Sequence, residues 1–169
     1  MTHVYDKAKW HYDGDYPKEL SIDQAIVHTG MYLGWIIDNR LYSTKFEKEA
    51  AADILNFKER KLTGTQVYIN WAGILANDML NEEGNEFSET YYEEEYGEVI
   101  NAGLPTLYHV QDTWENYELI KNRIDETYIK VKGLWMYLYH AVDSERHTID
   151  FYLSELRDKK ATKRFFVRF

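Results

Sequence analysis

Asp125-Glu-Thr-Tyr-Ile-Lys-Val-Lys-Gly-Leu-Trp-Met-Tyr-Leu-Tyr-His-Ala-Val-Asp143 is where the hydrophobic period of this chain changes. Tyr128 to Lys132 alternates, and Trp135, Tyr137 and Tyr139 alternate with Met136, Leu138 and His140, the pattern of a strand that can bury both faces. The polar run Asp143-Ser-Glu-Arg-His147 has turn composition, after which Ile149, Phe151 and Leu153 alternate with Thr148, Asp150 and Tyr152 as a partly buried strand. A short basic helix is expected from Asp158 through Lys159, Lys160, Lys163 and Arg164. The predicted class is α+β. A largely helical domain over residues 1–124 precedes a three-strand antiparallel meander and a short helix over residues 125–169.

Working back from that boundary, the periods are helical. Asp112-Thr-Trp-Glu115 has capping-box form and predicts a helix with Trp114, Tyr117 and Ile124 inward. Glu82 to Glu98 holds eight glutamates and no basic residue. Phe87 and Tyr91, four apart, give that segment an aromatic inner face and an acidic outer one, and Gly103 and Pro105 end it. Phe46, Ala50, Ile54 and Phe57 form one stripe of a helix expected over Lys45 to Lys61, broken by Thr63-Gly64. Ser21-Ile-Asp-Gln24 reads as a capping box opening a helix that ends near Leu41, with Gly30 and Gly34 placed for close approach of a neighbour. The first block, Val4 to Pro17, surrounds an Asp13-Gly14-Asp15 turn signal with aromatics.

The 169 residues are 44% hydrophobic and 16% aromatic, enough for a packed core. With no cysteine, disulfides, thiolate metal sites and cysteine nucleophiles are excluded, which fits a reducing cytoplasm. No apolar run has membrane-spanning length or signal-peptide character. The net charge of −9 is unevenly spread: residues 121–169 carry 11 basic and 7 acidic side chains, leaving 9 basic and 22 acidic in residues 1–120. An acidic body repels a nucleic acid backbone, whereas a mildly basic tail tolerates it.

The run from Asp125 to Asp143, then Thr148-Ile-Asp-Phe-Tyr-Leu-Ser154 and Arg157-Asp-Lys-Lys-Ala-Thr-Lys-Arg-Phe165, resembles bacterial insertion-sequence transposases of the group founded on insertion sequence six. The resemblance covers residues 123–166 and implies the opening of a DDE catalytic domain of ribonuclease-H-like fold. In that family the first catalytic aspartate lies on the first strand and matches Asp125. Two metal ions, Mg²⁺ or Mn²⁺, would be held by carboxylates during phosphodiester cleavage and strand transfer, and one carboxylate cannot hold both. The family's second aspartate and its glutamate would fall beyond Phe169, and Asp143, Asp150 and Asp158 do not match them. The expectation is therefore a non-catalytic remnant, with transposition by metal-dependent phosphoryl transfer as the alternative. Residues 3–125, through Tyr5-Asp-Lys-Ala-Lys-Trp-His-Tyr-Asp-Gly-Asp15, His28-Thr-Gly-Met-Tyr-Leu-Gly-Trp35, Leu80-Asn-Glu-Glu-Gly-Asn85 and Tyr108-His-Val-Gln-Asp-Thr-Trp-Glu-Asn-Tyr117, resemble a small bacterial domain family of unknown function.

Each candidate residue has a bland reading beside the functional one. Asp125 is an inherited metal-ligand position or a helix-terminal residue. His11, His28 and His109, near Asp13, Asp15 and Asp112 in sequence, could line a pocket or hold a metal, yet no pair has ligand spacing, so the expectation is structural histidines and no bound cofactor. The glutamate run could steer a basic partner, as acidic immunity proteins meet basic nucleases, or be a solvated helix face. Lys159, Lys160, Lys163 and Arg164 would give at most weak, salt-sensitive DNA contact. The five tryptophans are read as core. A short unpaired sheet also exposes an edge, through which self-association is possible.

Overall fold

The computed structural model describes residues 2–94, 96–101, 103–131, 134–142 and 148–154. The chain divides into two units, Met1–Lys121 and Asn122–Phe169. Among the described residues, helices predominate and the sheets are small and antiparallel, an α+β arrangement.

In the first unit, β1 (Val4–Lys7) pairs antiparallel with β2 (Ile74–Ala76), with an irregularity in register between Val4 and Asp6. Such an irregularity re-aims side chains. Here consecutive residues Tyr5 and Asp6 are both buried. The helices of this unit are α1 (Ala8–Tyr12), α2 (Val27–Asp38), α3 (Thr44–Glu49), α4 (Ala51–Lys58), α5 (Gly64–Asn70), α6 (Glu82–Glu94), α7 (Tyr96–Asn101) and the start of α8 (Trp114–Thr127).

α2 is the central element because every residue from Val27 to Ile37 is buried, and a helix apolar nearly all round must be enclosed by neighbours. α5 lies against it at backbone distance. A Cβ added to Gly30 would stand 2.3 Å from Thr65 Cα, and one added to Gly64 would stand 2.1 Å from the Gly30 carbonyl oxygen. Only glycine lets these two backbones meet. An aromatic core closes over the rest: Trp35 stacks on Phe87 with centroids 4.7 Å apart, Phe87 meets Tyr91 at 4.9 Å, and Tyr32 meets Tyr96 at 4.9 Å. The acidic segment thus forms α6 and α7, with Phe87, Tyr91 and Tyr96 turned inward.

Several local expectations are corrected. Ser21 makes no side-chain cap; Ile22–Ile26 is a 3-10 turn, and the Gln24 side chain donates to the Val110 carbonyl instead of closing a box. The helix expected over Lys45 to Lys61 is two, α3 and α4, meeting at Ala50, although Phe46, Ala50, Ile54 and Phe57 are all buried as one stripe. Thr63 does not merely break a helix. It caps α5 in a reciprocal box with Gln66. α8 is capped by Thr113, which accepts from Asn116 N–H at 3.2 Å, while the Asp112 carboxylate accepts from the Thr63 and Thr65 hydroxyls at 2.7 and 2.9 Å. Trp10 is not core: it is 53% exposed, with the Lys7 ammonium over its ring.

In the second unit, β3 (Tyr128–Val131), β4 (Leu134–Val142) and β5 (Thr148–Ser154) lie antiparallel in that order, Ile129 opposite Met136 and Leu138 opposite Leu153. Asp125 is placed on the last turn of α8, not on a strand. The helical period of Tyr117, Ile120 and Ile124, all buried, carries the helix through it. The turn at Asp143, the basic helix from Asp158 and the cations Lys159, Lys160, Lys163 and Arg164 lie outside the described residues.

Candidate functional site

The buried polar centre of the first unit is the Asp6 carboxylate, 5% exposed. β1 carries it inward between helices that each bring a donor. His11, one helical turn along α1, sets Nε2 at 2.8 Å from Oδ1 and 3.1 Å from Oδ2. Thr29 of α2 donates its hydroxyl to Oδ2 at 3.1 Å, Tyr92 of α6 donates to the same oxygen, and Tyr68 of α5 reaches Oδ1 at 3.4 Å. His28, also on α2, stands with Nε2 at 3.7 Å from Oδ2. Behind His11, the Tyr108 hydroxyl lies 3.0 Å from Nδ1, in the 3-10 turn Leu107–His109. The two imidazoles meet edge to face, with centroids 4.5 Å apart.

This setting fixes charge states. Burial by itself would push the Asp6 carboxyl up, but the imidazoles of His11 and His28 beside it outweigh that and hold the group below the usual carboxylate range. Burial pushes His28 down despite the neighbouring carboxylate, so its imidazole is neutral at pH 7. Burial and then Asp6 push the Tyr92 and Tyr68 phenols up, which keeps both as proton donors to the carboxylate.

Asp6 and His28 also line an open cleft of about 400 Å³. Its walls come from Tyr92 and Glu93 of α6, Tyr96 and Glu98 of α7, and Leu107. Three carboxylates, Asp6, Glu93 and Glu98, therefore share one cleft, and among its described lining residues none is lysine or arginine. A smaller groove of about 170 Å³ between α3 and β2 is lined by Phe46, Trp71, Ile74 and Met79 together with Glu49, Asp78 and Lys45, the last two paired at 2.8 Å.

Of the histidines singled out in the sequence, the structure brings His11 and His28 together but not His109, whose Nδ1 is 2.9 Å from the Thr106 hydroxyl. Their acidic neighbour is Asp6. Asp13 is exposed and 3.9 Å from Lys9, Asp15 is exposed, and Asp112 serves the Thr63 and Thr65 hydroxyls. Sequence reasoning missed Asp6, Thr29 and Tyr92. The available signal was His28-Thr29, two polar residues inside an otherwise apolar helix. Asp6, His11 and His28 each offer one ligand atom, all within 4.8 Å of one another, and Asp125, exposed on α8, belongs to no such group among the described residues.

A family profile described as a domain of unknown function, DUF7832, matches residues 4–110, and a DDE domain profile matches residues 120–169. The transposase for insertion sequence-like element IS431mec of Staphylococcus aureus is 42% identical over 69 residues, covering 41% of this chain and 31% of that protein. The transposase for insertion sequence element IS257 in transposon Tn4003, also from S. aureus, is 45% identical over 69 residues with the same coverage, 41% and 31%. An uncharacterized protein of Yersinia pseudotuberculosis is 44% identical over 46 residues, covering 27% of this chain and 43% of that one. The chain thus spans 31% of the length of the transposases it matches. No solved structure matches it.

Proposed function

The chain belongs to the family of the domain of unknown function DUF7832, whose profile covers residues 4–110, and from that premise we propose that it is a binding protein whose first unit receives a basic side chain of a partner protein. The observation that carries this reading is the cleft: Asp6 at its floor and Glu93 and Glu98 on its walls converge on one space. Tyr92 and Leu107 offer apolar surface for an alkyl stem or a guanidinium face. The acidic exterior of α6 and α7 extends the same potential and would speed encounter with a cationic surface.

The test uses an arginine-rich hexapeptide as the probe. Titration into the ¹⁵N-labelled full chain is expected to shift the amides of Tyr92 to Glu98 first, and affinity should fall as salt rises. The exposed pair Glu93→Lys/Glu98→Lys should weaken binding by about tenfold or more. Equal affinity in that double variant would overturn the reading.

The last third is similar to the DDE domain of insertion-sequence transposases. The antiparallel order β3–β4–β5 supports its reading as the start of a ribonuclease-H-like fold. In our reading the 169 residues by themselves do not perform phosphoryl transfer, because two metal ions need several carboxylates, and Asp125, the one matching position, lies exposed on α8. The DDE match over residues 120–169 favours a second reading, a role in DNA transposition with the other metal-binding carboxylates coming from outside these 169 residues. Mg²⁺- or Mn²⁺-dependent processing of a DNA end separates the two. The first reading expects background levels in wild type and Asp125→Ala alike, and a real activity lost in the variant supports the second.

A further inference from the structure

We propose that Asp6, His11 and His28 form a binding site for one divalent transition-metal ion of the zinc class. It goes beyond the partner-binding role, since the ion would sit beneath the cleft whether or not a partner is bound.

The distances suit the ion. Zinc binds imidazole nitrogen and carboxylate oxygen at about 2.0–2.2 Å in tetrahedral geometry, which sets ligand atoms roughly 3.3–3.5 Å apart. Asp6 Oδ2 stands 3.1 Å from His11 Nε2 and 3.7 Å from His28 Nε2, on either side of that spacing. One ligand atom from each of the three residues lies within 4.8 Å of the others. Shifts of a few tenths of an ångström bring the two edges at Asp6 Oδ2 to that spacing.

His28 supplies an independent reason. Its ring is buried, Nδ1 has no hydrogen-bond partner, and Nε2 faces Asp6 Oδ2 at 3.7 Å. Buried polar nitrogens are normally partnered, so the orphaned Nδ1 is unusual. No hydrogen bond fixes the ring at Nδ1, so the proton can reside there and Nε2 can present its lone pair on the side of the carboxylate.

The surroundings are those of ligands held by outer contacts. The Tyr108 hydroxyl, 3.0 Å from His11 Nδ1, can accept a hydrogen bond from Nδ1–H when Nε2 turns to an ion. Thr29 and Tyr92 hold the carboxylate by hydroxyl donors, and neither brings a competing positive charge. Two imidazoles and one carboxylate suit zinc and disfavour Mg²⁺ or Ca²⁺, which prefer all-oxygen sets. The cleft, lined by Asp6 and His28, leaves room for a fourth ligand such as water.

The experiment uses the untagged, metal-stripped full chain, with Zn²⁺, Co²⁺ and Mg²⁺ as probes. Calorimetry should give one Zn²⁺ per chain and no Mg²⁺ binding. Co²⁺ should show the intense visible bands of a four- or five-coordinate ion, and saturating Zn²⁺ should raise Tm by about 5 °C or more. His11→Gln and His28→Gln should each weaken binding by about a hundredfold, whereas His109→Ala should leave it unchanged. If His28→Gln does not fold, the partly exposed His11→Gln and the Co²⁺ spectrum of the wild type decide the matter. Absence of stoichiometric uptake by the wild type, or uptake unaffected in folded His11→Gln, would overturn the proposal. The arginine-peptide titration reads the partner-binding role separately, so failure of either leaves the other standing.

Discussion

Replacing Asp6 by alanine removes the acceptor on which four side chains of four different helices converge. Without the carboxylate, the Thr29, Tyr92 and Tyr68 hydroxyls and the His11 Nε2–H lose their partner. The losses do not add in full. Thr29 and Tyr92 lie 3.0 Å apart and can pair with each other, and the Tyr68 contact is already long at 3.4 Å. That leaves about two orphaned donors, at roughly 1–3 kcal/mol each, together with a charge-assisted bond lost at His11. Release of the carboxylate from burial offsets part of this. The expected loss is about 3–5 kcal/mol, with a Tm fall of roughly 10–25 °C. Urea unfolding of metal-free protein at pH 7 measures it, with an unchanged m value showing that stability alone has moved. Asp13→Ala is the control, since its 3.9 Å pair with Lys9 is exposed and should be worth less than about 1 kcal/mol. A loss below about 1 kcal/mol in Asp6→Ala would refute the view that the carboxylate organises the first unit.

Gly30→Ala places a Cβ 2.3 Å from Thr65 Cα, so α2 and α5 must part; after the gain in helix propensity, a net loss of about 1–3 kcal/mol is expected by urea unfolding, and an unchanged midpoint would contradict the close packing. Thr63→Ala removes a reciprocal cap and the 2.7 Å bond to Asp112, for about 1–2 kcal/mol, and Thr63→Ser should recover most of it. Burial, then Glu89 and Glu93, push the Tyr5 phenol up to about 12, and burial raises Tyr32, Tyr92 and Tyr96 as well. Because the folded state favours their protonated form, this stability is complete below the ordinary tyrosine value of about 10 and drains away as pH climbs toward 12. Phenolate absorbance followed alongside circular dichroism should show these tyrosines ionising with unfolding; ionisation of all 15 near pH 10 with the fold intact would refute the assignment.

Much of the helical framework is legible in local periodicity, because Phe46, Ala50, Ile54 and Phe57, or Phe87 and Tyr91, need only a helical backbone to share a face. What periodicity does not contain is competition from distant groups. Ser21-Ile-Asp-Gln24 has the letters of a capping box, yet the Gln24 amide is taken by the Val110 carbonyl, far along the chain. Ala50 belongs to the apolar stripe but departs from helical geometry, so one predicted helix becomes two. β1 is only four residues long and its partner strand β2 three, too short for alternation to declare itself. Asp6 is the most instructive case. In Tyr5-Asp-Lys-Ala-Lys9 it reads as one more surface charge, and its burial follows only once Thr29, Tyr68 and Tyr92 arrive from three other helices. The pairing of His11 with His28 shares this origin, which explains why histidine spacing along the chain held no ligand pattern. Asp125 stands at the end of α8, as its helix-terminal reading expected, because the helical period of Tyr117, Ile120 and Ile124 runs through it, whereas the resemblance implied a strand.

A co-crystal structure of the full chain with the arginine-rich hexapeptide bears on the binding role without an intermediary. A guanidinium is expected within hydrogen-bonding distance of the Glu93 or Glu98 carboxylate, its stem against Tyr92 and Leu107. A peptide seated elsewhere, with the cleft beside Asp6 holding only solvent, would show the binding role to be wrong.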